Sequence, residues 1–184
     1  MALISIIIGV VERSLIYSLI VMGIFLTSRI LKFDDLSIEG SFGLGGAIAA
    51  LSLSYGINAW ISLLLALFSG FLTGCITGIL HTKLKLNNLI SGMIVSSCLF
   101  SVCLRLCSST MILPQNSSIF SSISNKLFIL IPLCVLVVSL LTWLLKTEIG
   151  FLLRSIGTNP QMLQNLNKNT TTYKLFGLGI ANSI

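Results

Sequence analysis

Residues 57–80, INAWISLLLALFSGFLTGCITGIL, run for 24 positions without a charged side chain. A helix rises 1.5 Å per residue, so about 20 apolar residues cross a hydrocarbon core of about 30 Å. The pattern recurs: residues 86–104 and 127–145 are uncharged over 19 positions each, and residues 14–28 over 15. Only 9% of the 184 residues are charged, against about 25% in soluble domains. That is too little charge to cover a surface facing water. The chain is therefore expected to be all-α, a polytopic transmembrane helix bundle.

The spans follow from the hydropathy pattern. An apolar lead-in, 2–11, precedes span 1 at 13–31, and span 2 at 40–56 is short or broken and rich in Gly and Ala. Span 3 is 57–80, span 4 is 86–106 and span 5 is 127–145. A sixth apolar segment starts near Tyr173 and is cut off at Ile184, giving five full spans plus a truncated sixth. The opening MALISIIIGVV has neither a basic n-region nor an A-x-A site, so the first helix is expected to be retained.

The net charge of +6 is distributed as a membrane protein would distribute it. No basic run is interleaved with aromatics, which argues against a nucleic-acid partner. Eight of the eleven basic residues fall in the links 29–39, 81–87 and 146–174; Arg13, Arg105 and Lys126 remain on the other side. Positive charge is retained on the cytoplasmic side, so these three links are expected to be cytoplasmic and the N-terminus outside.

Catalytic chemistry is not visible. No GxxxxGK[ST] phosphate cradle occurs, the single histidine, His81, lies in a link beside lysines, and no Ser/Lys or Asp dyad stands out. The five cysteines form no CxxC pair and read as small lipophilic helix residues. No metal or cofactor is expected, and the chain is not expected to be an enzyme. Gly70, Gly74 and Gly78 repeat every fourth position on span 3, which lets another helix backbone approach closely, as a static contact or a sliding one.

One stretch breaks the apolar pattern. Within FDDLSIEGSFGLGG, residues 33–46, lie Asp34, Asp35 and Glu39, three of the chain's five acids, with Gly40, Gly43, Gly45 and Gly46. Carboxylates at membrane depth are costly and mark function. Ser37 is suited to cap a helix, with Glu39 in its first turn. A half-helix starting within the membrane would offer free N–H groups to a polar path. Residues 34–41 are thus expected to form a helix break facing the bundle interior, with Ser37 and Gly40 setting its geometry and Glu39 facing the path. The alternative is an interfacial loop capping an ordinary helix.

FDDLSIEGSFGLGGAIAA resembles the DLS-x-GS element of bacterial ABC importer permeases of the branched-chain amino acid and ribose type. It is most similar to a subgroup often assigned to aromatic amino acids or related small solutes. Phe33, Asp35, Leu36, Ser37, Glu39, Gly40, Ser41 and Phe42 fit that pattern, with Ile38 in place of Val. LIYSLIVMGIFLTSRIL (15–31) and GILHTKLKLNNLISGMIV (78–95) resemble further parts of the same permeases. The resemblance implies a translocation path along Asp35, Ser37, Glu39, Gly40 and Ser41.

GFLLRSIGTNPQMLQNLNKNTTTYKLFGLGIAN (150–182) resembles the permease loop that docks on the ATP-hydrolysing subunit, with Asn167–Lys168 where the family has Gly-Ile. The docking surface it implies includes Arg154, Gly157, Asn159, Pro160, Met162 and Leu166, within a cytoplasmic loop at 146–172. In residue terms, Gly157 is expected to end a short helix in the left-handed conformation, with Asn159 as N-cap and Pro160 as first helical residue. Met162, Leu163 and Leu166 would share a face.

The family continues through further helices, so residues 1–184 are expected to be the N-terminal part of a longer permease domain, C-terminally truncated. The implied function is the membrane-spanning subunit of an importer of a small, amino acid-like solute in the bacterial cytoplasmic membrane. The implied partners are an ATP-binding subunit, an extracytoplasmic solute-binding protein and a second permease copy. The alternative is a truncated, non-transporting membrane protein or a structural subunit.

Overall fold

A computed structural model describes residues 2–107, 127–158 and 170–184. Every regular element among them is helical. Helix α1 (Ala2–Phe25) passes into a π-helical turn (Leu26–Ile30), followed by α2 (Ser37–Ser54), α3 (Ala59–Leu84), α4 (Asn88–Leu106), α5 (Leu127–Lys146), α6 (Glu148–Thr158) and α7 (Thr170–Ser183). Four segments are long and apolar enough to cross a membrane: Ile6–Ile30, Ala59–Leu84, Asn88–Leu106 and Leu127–Lys146. The remaining expected span, α2, is the short one, 18 residues or about 27 Å. The apolar lead-in is no separate segment, because α1 runs unbroken from Ala2.

Helix α3 also outlasts its apolar run. His81 and Lys83 lie in its last turn rather than in a link, and the helix stops at Lys85, whose φ of 52° is left-handed. A Cβ in that region costs about 1–2 kcal/mol, a penalty glycine escapes. Lys85→Gly is therefore expected to raise the unfolding free energy by about 1 kcal/mol in detergent. A drop would show that the Lys85 side chain contributes more than its backbone costs.

Packing centres on α3, which is flanked by α2, α4 and α7. Helix α1 packs against α5 and touches α2 and α7, and α6 closes one end against α5, α7 and the π-turn. One apolar cluster (Leu26, Ile30, Leu31, Phe33, Leu141, Leu153, Ile156, Leu178 and Ala181) joins the π-turn, α5, α6 and α7, and a smaller one joins α2 to α4 through Leu44, Val95 and Leu99.

The interior is rich in small and hydroxylic residues: Thr27, Ser37, Ser62, Thr77 and Ser91 are all almost fully buried. Large apolar groups such as Trp60, Phe68, Phe128 and Trp143 lie outside. This is the distribution a bilayer selects, since lipid solvates Leu and Phe as well as a protein core does, and close packing must hold the helices together. Hydroxyls turn back onto their own helix, as in Thr73 to Gly70 O (2.7 Å) and Ser91 to Asn88 O (2.8 Å). Among the described residues no buried side-chain oxygen or nitrogen lacks a partner.

Helices α3 and α7 run antiparallel in near backbone contact. A Cβ at Gly70 would overlap the carbonyl oxygen of Asn182, one at Gly74 that of Leu178, and one at Gly78 would come within 2.6 Å of Leu175 Cδ2. In return, a Cβ at Gly179 on α7 would meet the Phe71 ring at 2.6 Å. The glycine stripe thus sets how deeply α7 beds into α3.

Candidate functional site

The break before α2 starts in the π-turn. Leu31 N–H bonds back five residues to Leu26 O (3.2 Å), and Phe33 N–H reaches Thr27 O (3.0 Å). Lys32, at φ 49°, turns the chain out of the helix. Residues 32–36 then run without regular structure into the bundle, where Phe33 is fully buried. The first residue of α2, Ser37, lies beside Thr77 of α3. Thr77 is seven positions before the end of α3 at Leu84, or about 10 Å at the helical rise. The N-terminus of α2 therefore lies about two turns inside the bundle.

Such a terminus, with Ser37 fully buried, needs acceptors for its N–H groups from the protein itself. Asp35 supplies one: its Oδ1 accepts from Ser37 N–H at 2.8 Å. Its Oδ2 accepts from Asn182 Nδ2 at 2.9 Å, and the second Nδ2 hydrogen goes to Leu178 O at 3.1 Å. Asn182 Oδ1 accepts from the Ser37 hydroxyl (3.2 Å), which itself accepts from the Thr77 hydroxyl (3.0 Å). The amide of Asn182 thus uses both donors and its acceptor, which determines its orientation. The result is a closed polar junction of Asp35, Ser37, Thr77 and Asn182, all four buried, joining the break to α3 and α7. Gly92 of α4 covers it: a Cβ there would lie 2.7 Å from Leu36 N and 3.2 Å from Asp35 Oδ1.

The expected site residues separate on this frame. Asp35, Ser37 and Ser41 are buried, Ser41 donating to Ile38 O (2.9 Å). Gly40 faces α4, where a Cβ would lie 3.0 Å from Ser96 Cα. Glu39 is exposed, as is Asp34. With residues 37, 38, 41 and 44 turned inward, the helical period puts 39, 42, 43 and 46 on the outer face of α2. Glu39 therefore does not share the interior with Asp35. Nor does Ser37 cap the helix with its hydroxyl. The boundary residue, Leu36, offers no side-chain cap, and the Asp35 carboxylate takes the N–H instead. Charge explains the exchange, because a carboxylate is the stronger acceptor and leaves the hydroxyl free to bridge helices. Asn182 was not singled out in the sequence. Its one signal is an amide inside the otherwise apolar and glycine-rich LFGLGIAN.

On the docking segment, Arg154 is exposed on α6. Gly157 lies within α6 and is not left-handed: among the described residues the one glycine with positive φ is Gly56. Its missing side chain serves a close crossing, since a Cβ there would overlap the Ile30 carbonyl oxygen of the π-turn. Asn159, Pro160, Met162 and Leu166 lie outside the described residues. The start of α7 is tied to the end of α3 by Lys174, whose Nζ lies 2.8 Å from His81 Nε2 and 5.1 Å from the Phe33 ring centre. His81 Nδ1 is 2.9 Å from Leu86 O. A carbonyl only accepts, so the proton is on Nδ1, and Nε2 accepts from the lysine.

The pattern of the family described as branched-chain amino acid transport system / permease component matches residues 6–182. A tyrosine transport system permease protein of Clostridioides difficile (strain R20291) is 36% identical over 179 residues, covering 97% of this chain and 61% of that protein. An uncharacterized protein of Rickettsia prowazekii (strain Madrid E) is 30% identical over 184 residues, 98% of this chain and 65% of its own length. A fructose import permease protein of Bifidobacterium longum (strain NCC 2705) is 39% identical over 61 residues, 33% of this chain and 17% of its own. The chain thus spans a little under two thirds of the two longer matches. No solved structure matches it significantly.

Proposed function

The chain belongs to the family of branched-chain amino acid transport permease components, and from that premise we propose that it is the membrane-spanning subunit of an ABC importer for a small, amino acid-like solute. The observation that carries the reading is the start of α2 inside the bundle, wired by Asp35 and Asn182 to α7. Half-helices that begin at membrane depth are a recurring transporter device; here the closed junction fixes which face of α2 is presented rather than meeting the solute itself. The exposed face of α2, with Glu39, Phe42, Gly43 and Gly46, then borders the path. A Cβ at Gly43 or Gly46 would meet no atom within 4 Å, so this face is open to a second copy of the permease. An exposed carboxylate at membrane depth is tolerable only against water or a polar partner, which a path between two copies supplies.

Energy comes from a separate ATP-binding subunit, docked through the 146–172 segment, whose Arg154, Asn159, Pro160, Met162 and Leu166 are the residues assigned to that contact, with Gly157 holding α6 to the π-turn. A solute-binding protein delivers the substrate from outside, and the assembly resides in the bacterial cytoplasmic membrane. The tyrosine transport relative makes aromatic amino acids the first solutes to try.

The test is ATP-dependent uptake of a labelled amino acid panel into proteoliposomes holding the full chain and its co-purifying ATPase. Glu39→Gln should cut uptake at least tenfold with no change in melting temperature or in ATPase recovery. Wild-type uptake by that variant would remove Glu39 from the path. An intact chain that neither binds an ATPase nor transports would instead be a structural membrane protein.

A further inference from the structure

A cavity of about 330 Å3 opens at the end of the bundle where four chain segments meet. Its walls are Leu31 and Lys32 from the exit of the π-turn, Thr82 from the last turn of α3, Ile156 and Gly157 from α6, and Thr170, Thr171 and Lys174 from the start of α7. It thus lies at the level where the spans Ile6–Ile30 and Ala59–Leu84 end. Among the described residues two cations and three hydroxyls line it, and no carboxylate does.

Two features set these cations apart from ordinary surface lysines. Lys174 is half-buried and held in place: its ammonium donates to His81 Nε2 and lies over the Phe33 ring, both neutral partners. The nearest acid in sequence to Lys32 that turns inward is Asp35, and its oxygens are taken by Ser37 and Asn182. Lys32 has a strained backbone, left-handed at φ 49°, at a place where glycine would fit without cost. Strain retained by a non-glycine residue points to a use for its side chain. The chain brings two positive charges to one concave wall, and among the described residues it offers no anion of its own there.

We propose that this cavity binds the phosphate of an anionic phospholipid headgroup, with Lys32 and Lys174 as the charge partners and the threonine hydroxyls as donors. A lipid is favoured over an acidic protein segment by position. The cavity lies at the ends of two membrane spans, where phosphodiesters are concentrated, and basic pockets between helices at that level suit headgroups. Its volume falls within the range of small-molecule sites, about 300–1,000 Å3. Because its walls come from the π-turn, α3, α6 and α7, a bound headgroup would clamp the segment leading into the helix break.

The experiment uses the full chain purified in detergent, titrated with phosphatidylglycerol or phosphatidylcholine and followed by melting temperature and by native mass spectrometry. Phosphatidylglycerol should raise the melting temperature and remain bound, while phosphatidylcholine should do neither. A lysine near anionic lipid contributes about fivefold in affinity, so Lys174→Gln and Lys32→Gly should each weaken binding about fivefold, and the pair about 25-fold. Lys32→Gly relieves the backbone strain, so loss of binding by that variant is not loss of fold. Lys174→Arg should keep binding. Equal response to the two lipids, or unchanged binding by both variants, would overturn the proposal. So would inorganic phosphate giving the full shift, which would make the cavity a free-anion site, or an acidic peptide displacing the lipid, which would assign it to a protein partner.

Discussion

Replacing Gly74 with Ala is expected to destabilise the bundle by about 2–4 kcal/mol, while the same change at Gly43 costs nothing. At Gly74 the added methyl would overlap Leu178 O, with Gly179 Cα only 2.8 Å away. Backbone cannot rotate aside as a side chain can, so α7 must lift off α3, and overpacking of this kind costs about 1–3 kcal/mol before lost contacts are added. Leu178 O also accepts from Asn182, so the displacement strains the polar junction as well. At Gly43 the methyl meets nothing, and alanine gains about 1 kcal/mol in helix propensity. Equilibrium unfolding of both variants in mixed micelles separates the cases. Equal effects would mean that the α3–α7 contact is not the tight one described.

The second large effect is expected at Asn182. Asn182→Ala removes the donor to Asp35 Oδ2 and the acceptor for the Ser37 hydroxyl at one stroke. A buried polar group left without a partner costs about 1–3 kcal/mol, more when it is charged. Hydrogen bonds between membrane helices average nearer 0.6 kcal/mol, because alternatives are found in the unfolded state. Here the partners are held by a helix start and cannot move to another, so a loss of about 2–3 kcal/mol is expected. Asn182→Asp should be worse, since it sets two carboxyl groups within hydrogen-bonding distance, and adding Asp35→Asn should restore much of the loss. Both single variants within 0.5 kcal/mol of the wild type would show that the junction does not hold the helices together.

The existence and approximate limits of the spans were legible because hydropathy is a property of each segment alone. A run such as 57–80 is helical and membrane-crossing whatever surrounds it, since lipid leaves its backbone no other partner. A break was legible for the same reason, since acids and glycines are incompatible with an ordinary span, but not its limits: it was expected at 34–41, whereas the chain leaves the helix only at 31–36 and residues 37–41 are the regular first turns of α2. The glycine stripe of α3 likewise announced a close contact.

What the stripe touches was not legible. Nothing in Gly70, Gly74 and Gly78 names α7, more than 90 residues on, and helix pairing depends on both surfaces at once. The same holds for the acids. Asp34, Asp35 and Glu39 look alike in sequence, and which one turns inward depends on where Asn182 arrives from α7. His81 read as a loop residue because it precedes two lysines, yet the bonds to Leu86 and Lys174 keep it in α3. Gly157 read as a helix end because glycine favours left-handed turns, yet it serves a crossing with the π-turn. By itself the sequence determined the helices, their apolar limits and the place where the pattern breaks, all consequences of solvation by lipid. The tertiary structure alone decided which small residues meet which backbone and which carboxylate finds a donor, because those energies exist only between segments far apart in the chain.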